Sequence, residues 1–172
     1  MKSSIIIGIL LIFGNTIYSQ NHFLNDTLIK KVSVFDDDII YNYVDFDGSY
    51  DELPLPKDIN GKLPEVIGFN YNPESQIINL TEKIFDVKEI KDLINSKCVI
   101  KCISTSSGKV VSVSFKFSAR EPKICLDKFV KFSQQFKEKI TIETIFSEKI
   151  EEEGYIQSSY GLFLVLKRKM LE

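Results

Sequence analysis

Residues 98–140 constrain the fold more than any other stretch of this chain. Cys98, Ile100 and Cys102 alternate with Val99, Lys101 and Ile103, which has the period of a strand. Thr105, Ser106, Ser107 and Gly108 follow as a turn in which Gly108 can take positive φ. Beyond it, Val111, Val113, Phe115 and Phe117 alternate with Val110, Ser112, Ser114 and Lys116. Two alternating runs around a glycine-containing turn predict a β-hairpin. Next, Cys125, Phe129, Phe132, Phe136 and Ile140 fall on one stripe of a 3.6-residue wheel, with Lys128, Lys131, Gln134, Gln135 and Glu138 opposite. Glu121-Pro122 suits the start of that helix, since proline at the first helical position loses no needed hydrogen bond. A hairpin with one apolar face and a helix with one apolar stripe cover each other, and that pairing is the expected core.

The neighbouring segments extend the pattern. Asp86 and Glu89 have capping-box spacing, and Val87, Ile90, Leu93 and Ile94 recur as in a short helix ending near Ser96. Thr141–Phe146, rich in β-branched residues, reads as a strand, Glu151-Glu152-Glu153-Gly154 as a charged turn, and Leu162–Leu166 as a final strand. Upstream, Leu28–Phe35 and Ile39–Phe46 read as strands flanking Asp36, Asp37 and Asp38. Pro54, Pro56, Asn60, Gly61 and Pro64 mark a loop, Val66–Tyr71 a further strand, and Asn72-Pro73 a turn. The expected class is α+β, an antiparallel sheet of about four to six strands with two helices packed on one face. Three segments are expected: 1–19 a signal peptide, 20–80 a β-rich extension or subdomain, and 81–172 the helix–hairpin–helix–strand domain.

The first 19 residues carry the pattern of a cleavable secretory signal. Lys2 supplies a positive start, Ile5–Phe13 an uncharged apolar run, and Ser19 a small residue before polar Gln20 and Asn21. The run falls short of the ~20 apolar residues that a spanning helix needs. The chain is therefore expected in the periplasm or outside the cell, with no membrane span after cleavage. With no cysteine beside Ser19, a lipid anchor is not expected. Hydrophobic residues at 44% and charged residues at 27% suffice for a real core without a metal or disulfide. Residues 21–80 carry an acidic excess and 81–172 a basic one. The basic residues are spread along the second half, unlike a nucleic-acid footprint.

The helix, the hairpin around Gly108-Lys109-Val110, the helix from Cys125 and the last strand together resemble the C-terminal domain of the energy-transducer TonB family. The resemblance covers roughly the second half. It implies a helix packed across a sheet and a partner strand adding to a free sheet edge. The chain lacks the long proline-rich spacer of such transducers, and a signal peptide stands where they have a membrane anchor.

Candidate chemistry is sparse. Cys98 and Cys102 share a strand face about 13 Å apart, beyond disulfide reach. Cys125 on the helix stripe leaves open one internal bridge to either of them, or three buried thiols. The single histidine, His22, argues against Ser-His or Cys-His nucleophiles, and the cysteine spacing against zinc. No cofactor is called for. The acidic turn of Asp45, Asp47, Asp51 and Glu52, beside Tyr41 and Tyr43, is the candidate binding cluster. Paired carboxylates beside aromatics suit glycoside hydrolysis or calcium, although solvated acidic turns are common. On the hairpin's outer side, Val99, Ile103 and Val110 form a candidate interface. The leading expectation is an exported, non-enzymatic protein that binds another envelope or extracellular macromolecule, a protein partner above all, by sheet-edge pairing. A small carboxylate-dependent glycan hydrolase and a calcium-dependent binding module are the alternatives.

Overall fold

The computed structural model describes residues 28–35, 38–45 and 53–171. The expected hairpin is β4 (Cys98–Thr105) and β5 (Val110–Phe117), and it lies at the centre of a five-stranded antiparallel sheet. Two N-terminal strands, β1 (Ile29–Phe35) and β2 (Asp38–Val44), extend it on one side, and β7 (Tyr155–Tyr160) closes the other. The order is β1-β2-β5-β4-β7. A separate two-stranded antiparallel sheet joins β3 (Val66–Asn72) to β6 (Thr141–Phe146). Segments on either side of residue 80 therefore share both sheets.

Among the described residues, four helices complete the α+β architecture. The capping box forms as expected at α2 (Val87–Asn95): the Asp86 carboxylate accepts from Glu89 N–H, and the Glu89 carboxylate accepts from Asp86 N–H. Helix α3 (Leu126–Lys139) lies across β5 and buries Phe129, Phe132 and Phe136 completely. Phe129 meets Phe115 edge-on at 5.0 Å between ring centres and Phe117 at 5.5 Å. Each such ring contributes roughly 1.5–3 kcal/mol by burial. Among the described residues no helix is long and apolar enough to cross a membrane.

Three expectations need correction. Leu162–Leu166 is not a strand but the start of helix α4 (Leu162–Lys169), which buries Leu162 and Leu166 one turn apart. A five-residue apolar run fits either period, and Lys167, Arg168 and Lys169 in the last turn favour the helix through its dipole. The last strand is instead β7. Helix α3 starts at Leu126, so Cys125 is its exposed N-cap and not part of the buried stripe. The segment before it is held against α2, where Asp92 accepts from the Arg120 side chain and from Lys123 N–H. Helix α1 (Glu74–Ile84) is an element the sequence reading passed over, although Ile77, Leu80, Thr81 and Ile84 are buried at helical spacing.

Candidate functional site

All the helices that touch the five-stranded sheet lie on the face built by Cys98, Ile100, Cys102, Val113, Phe115 and Phe117. No helix of the described residues lies on the opposite face. Cross-strand register arranges its side chains in rows. Lys31, Asn42, Lys116 and Val99 form one row across β1, β2, β5 and β4. Ser114, Lys101 and Ser159 form the next, and Ser112, Ile103 and Gln157 the third. A cleft of about 500 Å³ lies over these rows, with Lys31, Lys101, Asn42 and Ser114 in its walls and Phe69 of β3 at one side. Among the described residues no carboxylate lines it. A second cavity of about 470 Å³ adjoins it, lined by Leu53, Leu55, Val66, Phe69, Ile103, Tyr155, Ile156 and Gln157. The chain at 53–57 reaches this place because Tyr155 N–H donates to the Pro54 carbonyl at 2.9 Å and Lys57 bridges to Glu152.

The structure separates the residues singled out from the sequence. Val99 and Ile103 do stand on the helix-free face, Val99 half-buried and Ile103 at 8% exposure. Val110 does not, and this corrects the expected interface. Ile103 and Ser104 pair with Ser112 and Val110 in turn, so Val111 is an extra residue that the ladder skips. The bulge reverses the alternation and turns Val110 into the core at 2% exposure.

Asp45 is not open to a ligand. It is 5% exposed, and one carboxylate oxygen accepts from Val113 N–H at 3.0 Å and from the Lys137 ammonium at 3.1 Å. It continues the β2–β5 ladder beyond Tyr43↔Phe115, with its own N–H donating to Ser114 Oγ. Tyr43 packs edge-on against Phe117 and Phe129, and its hydroxyl donates to Glu121 at 3.0 Å. Burial, then that bond, pushes the phenol far above its ordinary range. Tyr41 is half-buried against the same core. Asp47, Asp51 and Glu52 lie outside the described residues.

All three cysteines are free, and Cys98 and Cys102 are buried. Burial pushes both buried thiols strongly upward, which suppresses thiolate reactivity. Among the described residues no group of three or more His, Cys, Asp or Glu side chains is placed to hold a metal.

A different surface comes from the sheet edge. Among the described residues, strand β1 has a strand partner on one side only, and its hairpin with β2 runs out past the cover of α3. Val32, Val34 and Ile39 consequently stand 55%, 70% and 49% exposed, with Val34 directly opposite Ile39 across the hairpin. An apolar strip on an edge strand is a surface that natural sheets usually protect.

No protein-family model matches the chain, and no curated protein matches it. Among solved structures, it is similar to the crystal structure of a DUF5043 family protein from Bacteroides uniformis. The two align with a TM-score of 0.54 at 17% identity, over 79% of this chain and 85% of that one. At that identity the likeness concerns the fold alone.

Proposed function

We propose that this chain is an exported, non-enzymatic binding protein that takes an extended segment of a partner protein along β1. The observation that carries this reading is the edge of β1, unpaired among the described residues, with Val32, Val34 and Ile39 exposed beside it. An added strand would gain main-chain hydrogen bonds from the edge, and its alternate side chains would cover the apolar strip. Export rests on the signal pattern of the first 19 residues and is checked by finding Gln20 at the N-terminus of the secreted protein. No observation among the described residues favours the hydrolase or the calcium-dependent module.

The test is site-specific photo-crosslinking in the source organism, with a benzophenone side chain at Val34 and, as a control, at Lys149 on the far turn. The expected result is one stoichiometric protein partner, joined through a single segment, at position 34 only. Val34→Lys in the chain carrying a nearby probe at Ile39 should abolish the adduct. Equal adducts at both positions, or none at Val34 in a folded protein, would overturn edge pairing.

A further inference from the structure

The two clefts on the helix-free face differ in chemistry and meet. Phe69, Ile103 and Gln157 line both. Among the described residues, the charged side chains that line the first are Lys31 and Lys101. Lys101 sits at the middle of the sheet between Ser114 and Ser159, is exposed, and has no ion-pair partner among the described residues. Ser112, 1% exposed, lines the same cleft. Among the described residues no charged side chain lines the second cavity, which is walled by Leu53, Leu55, Val66 and Ile156. Leu55 is 53% exposed although it lies at this wall.

From this gradient of polarity we infer that the two clefts are one site for an amphiphilic organic anion. Its acidic head lies over Lys101. Its hydrocarbon body crosses Ile103 and Phe69 and ends against Leu53 and Leu55. Charge complementarity selects the head, because Lys101 stands exposed in the polar cleft with no ion-pair partner among the described residues. The apolar cavity selects the tail, since a hydroxyl-rich ligand would find no partner for its polar groups there. Binding here uses the sheet face and is independent of strand addition at β1.

Isothermal titration of the full mature protein with dodecanoate, below its micelle concentration, tests the site. Glucuronate serves as the head without a tail and 1-dodecanol as the tail without a charge. One-to-one saturable binding of dodecanoate is expected, with both controls weaker. Lys101→Ala should weaken dodecanoate by about tenfold, and Leu55→Ser should weaken it while leaving the fold intact. Lys149→Ala, on an exposed turn, should change nothing. Absence of dodecanoate binding, or affinity unmoved by Lys101→Ala, would overturn the site. Glucuronate binding as tightly as dodecanoate would overturn the two-part reading. Unchanged circular dichroism and melting in each variant separate lost binding from lost fold.

Discussion

The two faces of the five-stranded sheet are made by neighbouring residues of the same strands, yet they are different materials. On β5, Val113, Phe115 and Phe117 lie under α3 and are buried to 1% exposure or less, while Ser114 and Lys116 between them look the other way. On β4, Ile100 is sealed beneath the helices and Lys101 beside it is open. The helix face is dense with aromatic contacts, whereas the other face keeps side chains that can exchange partners with a ligand. One face stores the stability that lets the other stay polar and partly empty.

The contrast can be broken most severely at its densest point. Phe129→Ala opens a cavity beneath α3 where Phe115, Phe117, Tyr43 and Phe85 converge. It should cost about 3–5 kcal/mol in urea unfolding. Asp45→Ala comes next. It removes the acceptor of Val113 N–H and leaves Lys137, whose side chain is 17% exposed, without its partner. A loss of about 2–3 kcal/mol is expected by the same measurement, smaller than for a fully buried ion pair.

The pair between Glu121 and Lys30, 2.7 Å apart, should matter less and should depend on pH. The Lys30 hydrogen bond, then that from Tyr43, holds the Glu121 carboxyl below its ordinary value. A carboxyl lowered on folding stabilises the protein above its unfolded pKa, and the contribution fades as pH falls through the folded value. Glu121→Gln should therefore be slightly less stable than the parent at neutral pH, and the two curves should converge in acid. A gap that is constant with pH would show that the carboxylate's charge contributes nothing. The smallest effect belongs to the other face. Lys101→Ala should change stability by no more than about 0.5 kcal/mol, and a larger loss would mean that the helix-free face also holds the fold together.

Much of this architecture was legible because its signals are local. The β4–β5 hairpin, the Asp86–Glu89 capping box, the phenylalanine stripe of α3 and the strands β1, β2, β3 and β6 all announce themselves through period or turn chemistry. The failures have physical causes. Strand β7 hides because its inward Ser158 is polar. That hydroxyl is acceptable inside because Tyr71 donates to it at 3.0 Å, from a residue far off in sequence. Burial pushes that same Tyr71 phenol up to about 12. Helix α4 was mistaken for a strand because five apolar residues fit both periods. Helix α1 could have been found from Ile77, Leu80, Thr81 and Ile84 alone. Of the candidate interface, Val99 and Ile103 stand on the outer face, while Val110 turns inward at a bulge that alternation cannot reveal.

Local pattern was enough for the α+β class, the central hairpin and the burial of Phe129, Phe132 and Phe136 on α3, since each follows from periodicity and the free energy of removing apolar area from water. Only the tertiary structure decided the strand order and the internal use of Asp45. It also decided the adjoining clefts on the helix-free face and the exposure of the β1 edge. Each of these depends on contacts between segments tens of residues apart, and no local pattern carries that information.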